Sequence, residues 1–107
     1  MADLSVPQGV GGQYSGQFTS GAVETLIYTG AGRLCRISII TAGTAMISFY
    51  DGTQSTGGTL IYSTITNDVT GTIKDVQLPI ATGIVVKGAA GSGGCVVGYN
   101  KAAVYGT

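Results

Sequence analysis

Apolar residues in this chain recur at every second position, in runs of nine residues or fewer that are cut off by Gly, Thr and Asn clusters. From Arg33 to Thr41, Cys35, Ile37 and Ile39 fall on one side and Arg36 and Ser38 on the other. That alternation is the signature of a half-buried strand. The next run repeats it, with Ala45, Ile47 and Phe49 alternating with Met46, Ser48 and Tyr50. Between them, Thr41-Ala42-Gly43-Thr44 is short enough for a hairpin turn, with Gly43 free to take a positive φ. This hairpin is the expected centre of a small all-β domain.

The remaining runs follow at the spacing of sandwiches and barrels. Strands are expected at Ala22–Tyr28, Arg33–Thr41, Ala45–Asp51, Thr59–Ile65, Thr72–Leu78, Gly83–Gly88 and Gly94–Asn100, with a short eighth at Ala102–Tyr105. Lys74-Asp75 and Pro79 mark Thr72–Leu78 as an edge strand or a bulge, because charge and a missing N–H both discourage further pairing. No run of ten residues combines a cap with a 3.6-residue period. The expected architecture is an antiparallel β-sandwich, jelly-roll-like with its eight strands; an immunoglobulin-like arrangement is the alternative, though no tryptophan is present for its core.

Residues 1–21 stand apart from the sandwich domain expected over 22–107. They hold five of the 19 glycines, one proline and three glutamines without sustained alternation. Val6, Val10, Tyr14 and Phe18 are spaced by four, but interior glycines at about 1 kcal/mol each argue against a helix. The segment reads either as a disordered terminus or as an extended arm that orders on a neighbouring subunit, anchored by Tyr14 and Phe18.

A chain of 107 residues is one domain with one core. Five Lys+Arg balance five Asp+Glu, so the exterior must consist of Thr, Ser, Gly, Gln and Asn. Zero net charge favours self-association. The basic residues are scattered at 33, 36, 74, 87 and 101, which does not suit phosphate neutralisation along a nucleic acid. No apolar run approaches the roughly 18 residues that span a membrane. Met1-Ala2-Asp3-Leu4 has neither the basic nor the apolar region of a signal peptide, so synthesis in a reducing cytoplasm is expected. Cys35 and Cys95 lie in apolar alternations and read as buried free thiols, with a disulfide across the sandwich left open.

Catalytic chemistry has little to work with. Without a histidine, neither a Ser-His-Asp nor a Cys-His site can be built. The carboxylates are Asp3, Glu24, Asp51, Asp68 and Asp75. Asp51 before Gly52 and Asp68 after Asn67 satisfy turns on their own account, and Asp51-Gly52-Thr53 lacks the repeated acids of a Ca²⁺ loop. Gly88 to Gly94 contains no Gly-Lys-Ser/Thr and leads into a strand pattern, so it is not a phosphate loop. No catalytic, cofactor-binding or metal-ligating residue is therefore assigned, and the chain does not read as an enzyme.

The tyrosines are the better candidates for contact. Tyr28, Tyr50, Tyr62, Tyr99 and Tyr105 sit at or near strand ends, where a ring packs on the core while its hydroxyl reaches water or a partner. With the arm, this makes Tyr14, Phe18, Tyr28, Tyr50 and Tyr62 the expected interface residues.

Residues 41–65 (TAGTAMISFYDGTQSTGGTLIYSTI), preceded by YTGAGRL at 28–34 and followed by GIVVKGAAGSGGCVVGYN at 83–100, resemble a group of small tailed-bacteriophage virion proteins. In these a Thr-Ala-Gly-Thr hairpin leads to Tyr-Asp-Gly/Asn-Thr, a Ser/Gly loop and another strand. The resemblance implies a capsid decoration or cement protein that binds the outer surface of the head, joins neighbouring major capsid protein subunits and has no enzymatic activity. It further implies a virion location on the capsid, after synthesis in the host cytoplasm, and a homo-oligomer, trimer or dimer. It transfers no binding residues and does not cover the arm. A receptor- or glycan-binding module, or a minor component of a phage tail or fibre, is the competing expectation; it would use loops 51–58, 66–71 and 88–94.

Overall fold

The computed structural model describes residues 12–64 and 69–102, and these form eight strands with no helix among them. The strands are β1 (Tyr14–Phe18), β2 (Glu24–Thr29), β3 (Gly32–Thr41), β4 (Ser48–Asp51), β5 (Thr59–Ser63), β6 (Ile73–Ile80), β7 (Gly83–Lys87) and β8 (Gly94–Lys101). They make two antiparallel sheets, ordered β1-β8-β3-β6 and β2-β7-β4-β5. First pairs with last, second with seventh, third with sixth and fourth with fifth, which is the pairing of a jelly roll. The β-sandwich expected from the alternation is the fold.

The central hairpin does not form. β3 pairs with β6 and β8, and β4 pairs with β5 and β7 in the other sheet, so residues 42–47 cross between sheets instead of turning back. Gly43 is needed here for proximity: a Cβ on it would lie 2.1 Å from the Gly93 nitrogen. It is not among the positive-φ residues. Thr44 N–H donates to Gly91 O at 2.8 Å, binding the crossing to the β7–β8 connection.

Residues 14–18 are also corrected. They form β1, five consecutive residues in register with β8 from Tyr14↔Tyr99 to Phe18↔Cys95, so the sheet begins before residue 22. Phe18 is fully buried in the core. Residues 1–11 lie outside the described residues, as do Ile65–Asp68 and the expected strand at Ala102–Tyr105 beyond Ala102.

The core lies between the sheets. Phe18, Leu34, Ile37, Ile39, Cys95 and Val97 come from the first sheet, and Phe49, Ile84 and Val86 from the second. Bulges decide which residues face it. On β2 one extra residue between Leu26 and Tyr28 turns both Ile27 and Tyr28 toward the core, and on β5 the same device turns Ile61 and Tyr62 inward. On β3 an extra residue relative to β8 at Cys35 resets the phase, so Leu34, not Cys35, shares the inner face with Ile37 and Ile39. Opposite it, edge strand β6 bulges at Val76–Gln77, with Gln77 at φ 54° and its side-chain amide donating to Cys35 O at 3.3 Å. The edge position of this charged, proline-containing strand is as expected.

Candidate functional site

The two outer faces differ in chemistry. On the β1-β8-β3-β6 sheet, Ser15, Gly98, Arg36 and Asp75 are register partners across all four strands, and Arg36 Nε donates to Asp75 Oδ1 at 2.8 Å. The next outward row is Gln17, Val96, Ser38 and Ile73. This face is shallow and polar, with a hollow of about 310 Å³ beside Tyr14, Ser15, Arg36 and Gly98.

The opposite face carries a row of large side chains. Leu26, Val85, Tyr50 and Leu60 are register partners from β2 to β5. Leu26 is 50% exposed and Leu60 55% exposed, whereas Val85 is 0% exposed although it does not belong to the inward core. Next to this row stand Glu24, Lys87, Ser48 and Ser63, also in register. A groove of about 470 Å³ opens beside them, lined by Met46, Ser48, Tyr50, Lys87 and Ala89.

The loop after β4 folds over this face. Ser55 N–H donates to Glu24 Oε1 at 3.2 Å and its hydroxyl donates to the same oxygen. Since β7 lies between β2 and β4, the loop crosses above β7 to reach Glu24. The Ser55 hydroxyl bond holds the Glu24 carboxyl below the usual carboxylate range; local desolvation opposes it, and the Ser55 N–H and the Lys87 charge reinforce it.

At the other end of the loop, Asp51 closes the β6–β7 turn. Its carboxylate accepts Ala81 N–H at 3.0 Å, Thr82 N–H at 2.9 Å and Gly83 N–H at 3.3 Å. Burial pushes this carboxyl up, and the three donors together outweigh it and hold the group below its ordinary range. The turn role expected for Asp51 is a local one with Gly52; its oxygens are instead engaged by the distant β6–β7 turn. Asp68 lies outside the described residues.

The expected contact residues are scattered. Phe18 is interior and cannot anchor a partner, because strand alternation sends it inward opposite Cys95. Tyr62 is half-buried against the core, its ring 6.0 Å from Phe49. Tyr50 faces outward in the apolar row. Tyr14 and Tyr28 do come together, stacked on either side of Tyr99 with centroids at 5.7 and 5.0 Å, and Lys101 Nζ lies 4.4 Å from the Tyr14 ring centre. Tyr28 O–H donates to Ala31 O at 2.7 Å and so closes its own turn. This stack joins the sheets at one end, leaving Tyr14 42% exposed. Leu26 and Leu60 were missed as surface residues, since nothing in an alternating run shows which side is outward once a bulge intervenes.

Cys35 and Cys95 are free, buried thiols, as read from their setting. Burial pushes the Cys95 thiol up to about 12 and raises Cys35, where the Arg33 charge, an Asn100 hydrogen bond and the Arg36 charge partly offset it. Among the described residues no group of three or more His, Cys, Asp or Glu side chains is placed to hold a metal, and no helix is long and apolar enough to cross a membrane. Comparison with protein-family models, with curated proteins and with solved structures gives no match.

Proposed function

We propose that the chain is a bacteriophage virion structural protein, a decoration or cement protein that binds the outer surface of the head and stabilises the coat lattice. The observation that carries this reading is the outward row Leu26–Val85–Tyr50–Leu60, whose two leucines stand half exposed on the β2-β7-β4-β5 face. A row of this kind suits flat contact with another protein surface. The resemblance of residues 28–34, 41–65 and 83–100 to small phage virion proteins supplies the class of partner, the major capsid protein.

The size of the face favours repeated contacts. A four-strand face about 19 Å wide and about 17 Å along the strands covers roughly 300 Å², against roughly 800 Å² per partner in a standard interface. One such contact is weak, and several presented by a symmetric dimer or trimer are strong. The competing tail or fibre module has less support. The hollow of about 490 Å³ beside Asp51, Thr53, Gln54 and Thr82 is the loop site it would use, but the Asp51 carboxylate is committed to the β6–β7 turn.

Mixing the purified protein with undecorated heads and with empty tails, then sedimenting each, tests the reading. Co-sedimentation with heads is expected. Co-sedimentation with tails alone, or with neither, overturns it.

A further inference from the structure

We propose that residues 52–58 are a latched strap: Glu24 holds the loop closed across β7, and its release uncovers Val85, turning Leu26, Val85, Tyr50 and Leu60 into one continuous exposed row. The inference rests on the geometry of the loop and stands independently of the proposed function.

Val85 is the first indication. A residue that points outward from a two-layer sandwich is ordinarily open to water, yet Val85 is wholly covered while its register partner Leu26 is half exposed. The loop is the element placed to cover it, since it leaves β4 at Asp51 and passes above β7 to bring Ser55 to Glu24. Its side chains are Thr53, Gln54, Ser55 and Thr56 between glycines, so no apolar group anchors it to the sheet.

The loop's neck is built to pinch. A Cβ on Gly58 would lie 2.5 Å from Gln54 O, and one on Gly52 would lie 3.1 Å from Gly58 Cα, so the two ends converge only because both are glycine. Gly52 N–H donates to Gly83 O at 3.1 Å and Gly58 N–H to Ser55 O at 3.2 Å. Gly57 sits at φ 85° with no heavy atom within 4 Å of its Cβ position, leaving space for the tip to lift. The strap is thus a closed polar turn, fastened to β2 by the two donors of Ser55 on one carboxylate.

That carboxylate is solvent-facing, and the charged group beside it is Lys87, its register partner on β7. The latch is intact while Glu24 is ionised. It weakens as pH falls through the lowered value of this group, below the ordinary range near 4.5.

Hydrogen exchange followed by mass spectrometry, with binding of an apolar fluorescent dye, tests the strap in the full chain. Glu24→Ala and Ser55→Ala are each expected to accelerate exchange at 53–58 at least tenfold and to raise dye binding, with peptides from β3 and β8 unchanged. Glu24→Gln, which keeps an acceptor oxygen, falls between. Should Glu24→Ala fail to fold, the wild-type chain from pH 7 to pH 3, corrected for intrinsic exchange, is expected to show the same local acceleration. Unchanged loop exchange, acceleration shared equally by β3 and β8, or faster exchange without added dye binding overturns the proposal.

Discussion

The carboxylate of Asp51, at the end of β4, accepts the backbone N–H of Thr82 at 2.9 Å, joining the loop strap to the turn between β6 and β7. Ala81 and Gly83 donate to the same carboxylate, so one side chain satisfies three amides of a turn that links the two sheets. Asp51→Asn keeps one acceptor oxygen but places an NH₂ against these donors. It is expected to cost about 1–3 kcal/mol, the range for a hydrogen bond to a charged group or an unsatisfied donor, with the lower half more apt for a half-buried residue. The folded group titrates below its unfolded value, so its stabilisation is complete above that value and is lost as pH falls through the lowered one. Urea midpoints from pH 7 to pH 2 should therefore decline more steeply in acid for the wild type than for Asp51→Asn.

The crossing at Gly43 gives a second expectation. A Cβ there would meet the Gly93 backbone nitrogen at 2.1 Å, and one on Gly93 would meet Thr41 O at 1.8 Å, so alanine at either position must push backbone apart. Each substitution is expected to cost about 1–3 kcal/mol or more, as overpacking does. Gly57→Ala, at φ 85° in open space, carries only the left-handed penalty of roughly 1–2 kcal/mol. Thermal midpoints of the three variants check the order; a Gly43→Ala protein as stable as Gly57→Ala would contradict the close approach.

What could be read from the residues follows from what a strand needs locally. Period two is a property of one strand on one sheet face, so seven of the eight strands are visible as runs, and β6 shows its edge position through Lys74, Asp75 and Pro79. Pairing is a property of two strands, and a short link such as 42–47 serves a sheet crossing as well as a hairpin. β1 was hidden for another reason. Its inward row is Tyr14, Gly16 and Phe18, and the middle position is glycine because a Cβ there would meet Ile27 Cγ2 at 2.7 Å, which erases the apolar alternation. The bulges at Cys35, Ile27 and Ile61 reverse the phase within runs that look regular, which is why Leu26 and Leu60 did not register as a surface row.

Phe18 tests the corrected N-terminal region. Fully buried opposite Cys95, it is expected to cost about 3–5 kcal/mol on truncation to alanine. Tyr14→Ala, at a 42% exposed position on the same strand, should cost far less. Deleting residues 1–20 removes all of β1 and uncovers β8, so lower stability is expected, not an intact domain. Chemical denaturation of the three proteins decides this, and an undiminished midpoint after deletion would remove β1 from the fold.

The thiols report opening of the core. Cys35 and Cys95 are buried, and Cys95 is pushed up to about 12, so neither supplies thiolate to a reagent at pH 8 in the folded state. Alkylation of both is expected only through unfolding, at a rate that rises with urea. Rapid modification of Cys95 in the native protein would show that the sandwich opens locally at β8.

The two outer faces can be separated by charge. Leu26→Asp and Leu60→Asp place carboxylates at half-exposed positions of the β2-β7-β4-β5 sheet, and Ile73→Asp does so on the other sheet, where Ile73 is 58% exposed. Because none of the three side chains is in the core, each substitution should change stability by about 0.5–1 kcal/mol at most. If the row Leu26–Val85–Tyr50–Leu60 meets the coat, either leucine variant loses co-sedimentation with undecorated heads while Ile73→Asp keeps it, since a carboxylate buried in a contact without a partner is expensive. The reverse pattern would move the contact to the polar face of Arg36 and Asp75. Equal binding by all three would exclude both sheet faces and leave the Tyr14–Tyr99–Tyr28 end of the sandwich as the surface to test next.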